Sequence, residues 1–334
     1  MGTAAIFGCA GPHLGAAERA FFRQADPWGF ILFARNIENA AQVTDLTRAL
    51  RDSVGRDAPI LIDQEGGRVQ RLRPPLARAW LPPLDQLHAS EAGRAARGMW
   101  LRSRIIAAEL RALGIDVNCT PVADIAGPRT HPFLKNRCLG ETPEEVTANA
   151  RAAADGLLAG GVLPVLKHLP GHGRGAVDSH LGLPVADASA EDLAREDFVP
   201  FAALADLPLA MTAHVLYPAL DRDRPATLSS AVIGAIRQKI GFGGLLMSDD
   251  ISMGALSGGV ETRSSAAISA GCDVVLHCNG NLAEMQEVAE AAGQMRPRAA
   301  ARAEAALAAR RDPVPVDMDA LEAEFRTILR PAPA

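Results

Sequence analysis

Lys167-His168-Leu169-Pro170-Gly171-His172-Gly173 is followed five residues later by Asp178-Ser179-His180. Three histidines, a lysine and an aspartate thus fall within fourteen residues, Lys167 to His180. An imidazole titrates near ~6.5 and can accept or donate a proton around neutrality. A carboxylate beside it fixes its tautomer and raises its pKa, so Asp178 and His180 read as a coupled pair. Pro170 and Gly171 exclude a helix, so His168 and His172 are not a helical pair of metal ligands, and no metal is expected. Gly171, Gly173 and Gly175 are expected to give this loop its freedom to move.

A second candidate is Asp249-Asp250, which closes the apolar run Gly244–Ser248. Strand alternation points one carboxylate inward, where it is placed as a nucleophile. Asp249 takes that role, and Asp250 is assigned to cap a helix over Ile251–Leu256. Asp63 and Arg71, with Arg137, read as a polar clamp for hydroxyls, because a guanidinium offers a rigid fork of donors. The stretch Glu65-Gly66-Gly67-Arg68 reads as a turn with a salt bridge, and Lys167-His168 as site residues only if the strand bends there. His214 ends another apolar run and is assigned to substrate binding, with packing behind the site as its alternative.

The elements that must position these groups are eight short apolar runs: Ala4–Cys9, Gly29–Phe33, Pro59–Asp63, Ile115–Val122, Val162–His168, Leu207–Ala213, Gly244–Ser248 and Cys272–His277. Each has the length and continuous apolarity of a buried parallel strand. Helical stretches rich in Ala, Leu, Arg and Glu separate them, clearest at Arg94–Leu113, Glu144–Ala159, Ala190–Leu204 and Ala283–Gly293. Gly114, Gly160 and Gly241 are the expected helix stops. The alternation predicts an α/β fold, a single (β/α)8 TIM-type barrel spanning residues 1–334 with no second domain. A C-terminal helix is expected at about 297–330, with a frayed end over Pro331–Ala334. A doubly wound sheet is the alternative, but no Gly-x-Gly-x-x-Gly turn follows the first run. Polar candidates sit at the same end of five strands, where barrel active sites form.

Composition narrows the function classes. The 334 residues are 48% hydrophobic and 22% charged, with a net charge of -5, which argues against nucleic-acid binding. No apolar run approaches the ~20 residues of a membrane span. The N-terminus has no basic segment leading into an apolar one, so no signal peptide is expected. Five scattered cysteines suit a reducing, cytoplasmic setting.

On these residues the chain resembles glycoside hydrolase family 3, in particular its short, single-domain β-N-acetylglucosaminidases of the NagZ type. The matching segments are Ile31–Phe33, Ile62–Arg71, Asn136-Arg137, Lys167–Gly173, Asp178-Ser179-His180, Ser248–Met253 and Ala270–Asp273. The resemblance implies retention of configuration through a covalent glycosyl-aspartate on Asp249. It implies His180 as the acid/base with Asp178 as its partner, and Asp63, Arg71, Arg137, Lys167 and His168 as sugar-binding positions. It further implies hydrolysis of terminal GlcNAc from GlcNAc-anhydroMurNAc muropeptides in cytoplasmic peptidoglycan recycling, without metal or other cofactor. A small carbohydrate is then the partner, with no nucleic acid and no membrane. The alternatives are another family 3 β-glycosidase, such as a β-glucosidase or broad hexosaminidase, and a metal-dependent barrel hydrolase.

Overall fold

The computed structural model describes residues 2–179 and 181–329. His180 and the tail expected to fray over Pro331–Ala334 lie outside the described residues.

Eight strands close into a barrel: β1 (Thr3–Gly8), β2 (Pro27–Leu32), β3 (Ile60–Ile62), β4 (Val117–Asn118), β5 (Leu163–Leu169), β6 (Leu209–Thr212), β7 (Leu245–Asp250) and β8 (Val274–His277). They correspond one for one to the eight apolar runs. Every neighbouring pair is parallel, and β8 closes onto β1 with Ala5 opposite Val275. Both faces of these strands are covered, one by the barrel interior and one by helices, which is why the runs do not alternate with polar residues. Every residue of β1, β2 and β5 is buried.

Parallel neighbours need crossovers, and helices supply them. They include α1 (Ala16–Ala25), α2 (Ala40–Val54), α3 (Ala95–Ala112), α4 (Pro143–Ala159), α5 (Phe198–Ala203), α6 (Ser230–Ala235), α7 (Val260–Ala270) and α8 (Leu282–Ala292). The Thr142 side chain caps α4 by accepting the Glu145 N–H, and Pro143 occupies its first turn. Gly114 and Gly241 adopt φ of 75° and 81°, as helix stops require. After α4 the left-handed position falls on Gly161 (φ 75°) rather than Gly160. The expected helix over 190–204 is present, with a π-helical turn at Leu193–Asp197 inside it. All five cysteines are free and buried. Among the described residues no helix is long and apolar enough to cross a membrane.

The C-terminal region corrects the expectation of one helix over 297–330. It forms α9 (Pro297–Ala308) and α10 (Met318–Ile328). Pro313 and Pro315 lie between them and cannot continue a helix; Asp317 then caps α10 by accepting the Ala320 N–H at 3.1 Å. Near the start of β8, Arg302 of α9 binds Asp273 at 2.8 Å. Helix α10 lies on α3, with the Phe325 ring edge-on to Trp80 at 5.4 Å. Phe325 is only 3% exposed, so Phe325→Ala is expected to destabilise the protein by about 3–5 kcal/mol in urea or thermal unfolding.

Candidate active site

At the C-terminal ends of the strands lies a cavity of about 180 Å3. A polar wall is formed by Asp63, Arg71, Arg137, Lys167, His168 and Asp249; Phe33, whose ring lies 5.1 Å from the Arg71 guanidinium, and Met211, Met253, Leu276 and Cys278 belong to the same lining. The polar wall is a ladder of alternating charges. Arg71 donates to Asp63 at 2.9 Å, and Lys167 Nζ reaches Asp63 at 3.0 Å and Glu65 at 2.7 Å. Arg137 then grips Glu65 through two parallel bonds of 2.8 Å each. Burial raises the pKa of an unpaired carboxyl, yet the facing cations reverse that here. Arg137 and Lys167 overcome burial to hold Glu65 at about 2, and Lys167 and Arg71 likewise hold Asp63 well below the carboxylate range. Burial opposes the Lys167 charge, but Asp63 and Glu65 push its pKa above the ordinary lysine value.

Lys167 and His168 are adjacent in β5, yet both line the cavity. The peptide bond between them is cis, and the ladder to β6 shifts register between Leu166 and Leu169, so strict alternation does not hold there. Behind them sits Asp124, fully buried. Its Oδ2 lies 2.7 Å from His168 Nδ1, and its Oδ1 accepts the backbone N–H of His172 at 2.6 Å. The His172 ring packs against His168 and Phe133, and neither of its nitrogens has a partner among the described residues. Burial lowers its pKa to about 4, so it is uncharged at neutral pH.

Asp249 lies at the end of β7 and opens into the cavity. Burial pushes its carboxyl up, but His214, His168, the Asp250 N–H and Lys167 outweigh burial and hold it below the usual range. Asp250 does not cap a helix, which corrects the sequence expectation. Residues 251–256 form successive turns, and α7 begins only at Val260. The Asp250 carboxylate instead accepts the Ser252 N–H and hydroxyl at 3.0 and 2.7 Å and the Cys278 N–H at 3.2 Å, tying the ends of β7 and β8 together. His214 was assigned to substrate binding; the structure places it outside the cavity lining. It is buried, with Nδ1 2.7 Å from the Thr227 hydroxyl and Nε2 2.9 Å from the Asp250 carbonyl.

The loop after β5 crosses the cavity. Ser179 lines it, and the Ser179 carbonyl accepts the Ala255 N–H at 3.1 Å. The Asp178 carbonyl accepts the N–H groups of Leu181 and Gly182. Gly171 adopts a φ of 134°, and Gly173 lies close against the backbone of Ile125. The Gly171 carbonyl accepts the Tyr217 hydroxyl at 2.7 Å, and a Cβ on Gly173 would lie 2.2 Å from the Ile125 carbonyl oxygen. Arg174 binds Asp197 at 2.6 Å and Glu196 besides. The first half of the loop, to Arg174, is therefore clamped to the barrel.

Residues 16–308 match the glycosyl hydrolase family 3 N terminal domain. The chain belongs to glycosyl hydrolase family 3. It is 41% identical over 283 residues to a beta-hexosaminidase of Methylococcus capsulatus, covering 82% of each chain. It superposes on NagZ from Neisseria gonorrhoeae in complex with N-trifluoroacetyl-D-glucosamine with a TM-score of 0.84, at 30% identity over 98% of this chain and 96% of that one. A family 3 beta-N-acetylglucosaminidase from Paenibacillus sp. gives 0.86 at 29% identity, covering 96% of this chain and 66% of that one.

Glu65 and Asp124, polar residues following the third and fourth apolar runs, received no role in the site from the sequence. Glu65 looked like part of a turn, and Asp124 stood alone at the end of an apolar run; no local spacing pairs either with its partners. Replacing Glu65 leaves Arg137 buried without its counter-charge and Lys167 with Asp63 alone. Glu65→Gln is therefore expected to cost about 3–5 kcal/mol near neutral pH. Because the folded pKa of Glu65 is depressed, its contribution is complete above the unfolded value of about 4.3. It is lost as pH falls toward about 2, so the wild-type and variant unfolding curves should converge in acid.

Proposed function

We propose that the chain is a retaining exo-β-N-acetylglucosaminidase, with the whole of residues 1–334 working as one catalytic unit. The observation that carries this reading is the sharing of one small cavity by Asp249, by Asp63, Lys167 and Arg137, which Glu65 ties together from behind, and by Ser179 of the crossing loop. At about 180 Å3 the cavity is smaller than the roughly 300–1,000 Å3 that holds drug-sized ligands, and suits a single terminal ring. Fixed donors and acceptors along one wall suit a ligand rich in hydroxyls. The names of the relatives, beta-hexosaminidase and β-N-acetylglucosaminidase, support GlcNAc as that ring.

In this reading Asp249 is ionised at neutral pH, attacks the anomeric carbon and forms the glycosyl-aspartate. A carboxylate there also stabilises the positive charge that develops on the ring carbon. His180, carried by the crossing loop beside Ser179, gives its proton to the departing oxygen and later takes one from the attacking water. Asp178 favours the charged imidazolium that this requires. Asp63, Arg71, Arg137, Lys167 and His168 hold the hydroxyls, and His214 acts behind Asp250. The aglycone extends out of the cavity, and the muropeptide GlcNAc-anhydroMurNAc is the substrate we assign, in cytoplasmic recycling of cell-wall fragments. No metal or cofactor enters the mechanism.

Asp249→Asn should lower kcat on an aryl β-GlcNAc by roughly 10^4- to 10^6-fold, and near-normal turnover would remove it as nucleophile. The first product seen by NMR should be the β anomer; an α anomer would rule out retention. His180→Ala should depress hydrolysis of a muropeptide far more than that of an aryl glycoside with an activated leaving group, since only the former needs a proton on departure. Equal losses would leave His180 a binding role alone. Faster cleavage of an aryl glucoside than of the aryl GlcNAc would favour the β-glucosidase alternative.

A further inference from the structure

Asp124 touches no cavity surface and has no part in the chemistry described above. Even so, it is fully buried and bonded at both oxygens. Oδ1 accepts the His172 N–H at 2.6 Å and lies 3.4 Å from the His168 N–H, while Oδ2 lies 2.7 Å from His168 Nδ1. Burial would raise its pKa, but His168 and the other groups around it outweigh burial and hold it below the usual range. The group is therefore an ionised carboxylate, which can only accept. The atom facing it on the imidazole must donate.

We infer that Asp124 is a positioning residue that keeps the His168 ring proton on Nδ1, so that Nε2 presents a lone pair to the cavity and accepts a hydrogen bond from a sugar hydroxyl. His168 lines the cavity, and Nε2 is neither paired with a described residue nor among the sealed, unpartnered nitrogens. The composition of the wall explains why an acceptor is needed there. Arg71, Lys167 and Arg137 can only donate. Asp63 already receives Lys167 and Arg71, and Glu65 receives Lys167 and Arg137. A sugar hydroxyl has both a lone pair and a hydrogen to satisfy; the cations meet only the first, and each oxygen of Asp63 already receives one cation. An imidazole locked as an acceptor meets the second. The opposite tautomer would set an N–H against a wall already full of donors. The functional half of this inference rests on the glycosidase reading; the tautomer does not.

The first test uses the wild-type, substrate-free protein labelled with 15N in histidine. At neutral pH the His168 ring, assigned by its loss in His168→Gln, should show a protonated Nδ1 and an unprotonated Nε2. A protonated Nε2, alone or with Nδ1, overturns the inference. The second test is Asp124→Asn. The new amide can still accept the His172 N–H, but its NH2 faces Nδ1 and forces the proton to Nε2. With the melting curve showing a folded protein, the ring should switch tautomer and kcat/KM for an aryl GlcNAc should fall about 10- to 100-fold. A deoxy substrate lacking the paired hydroxyl should show no such difference between the two proteins. A switched tautomer with unchanged kcat/KM overturns the proposed role. Absence of turnover by the wild-type protein would instead sink the glycosidase reading, and the ring nitrogens would still report on Asp124.

Discussion

Lys167 is the constraint on which the site depends. Its ammonium is almost wholly buried between two carboxylates, Asp63 at 3.0 Å and Glu65 at 2.7 Å. A buried charge without partners is strongly destabilising, and removing either partner exposes that cost. The consequence is geometric. The end of β5, the loop after β3 and the connection carrying Arg137 can take only the arrangement in which the signs alternate. Such a ladder adds little net stability over apolar packing. What it supplies is a set of donors already oriented before a ligand arrives, so that little reorganisation remains to be done on binding.

The same device recurs around Asp249, with hydrogen bonds in place of ion pairs. Asp250 fastens the turn after β7 to Cys278 at the end of β8, and His214 braces the Asp250 carbonyl from behind. Asp249 thereby keeps a short tether to a rigid backbone, with its own Oδ1 accepting the Asp250 N–H at 2.8 Å. Its ionised state follows from the histidines, the Asp250 N–H and Lys167 that surround it rather than from exposure to water. Across the cavity the loop after β5 is clamped up to Arg174 by Tyr217, Thr130 and Asp197. Beyond Gly175 it bears Val177 and Leu181 exposed to solvent, and it touches the β7 side through Ser179. Asp63, Lys167 and Asp249 thus sit at the ends of barrel strands, fixed by their ion pairs and hydrogen bonds.

The opposite end of the barrel has a different task. Asp273 receives both Arg237 and Arg302, and Asp116 receives Arg51 and Arg310. These pairs fasten the strand starts to α9 and its neighbours, so carboxylates at both ends of the strands are paired with arginine. The pairs at the C-terminal ends border the cavity into which Asp249 opens. Position along the strand, rather than residue type, separates the stabilising pairs from the site.

The sequence by itself determined the eight strands, their order and the end at which chemistry gathers, because continuous apolar runs and the polar residue closing each are local properties of the chain. It also marked Asp63, Arg71, Arg137, Lys167, His168 and Asp249 as residues worth bringing together. Tertiary structure decided which partners they take. Asp63 and Lys167 are 104 positions apart, and Glu65 and Arg137 are 72 apart. Asp124 and His168, 44 apart, meet only because β4 and β5 are neighbours in the closed barrel. The misplacements have the same origin. Asp250 has the residue type of a helix cap, and only the nearness of β8 turns it toward Cys278. His214 has the type of a ligand residue, and only the fold puts the Asp250 backbone in front of it. A side chain's chemistry is written locally, but its partners are set by closure of the sheet, and no spacing along the chain encodes that distance.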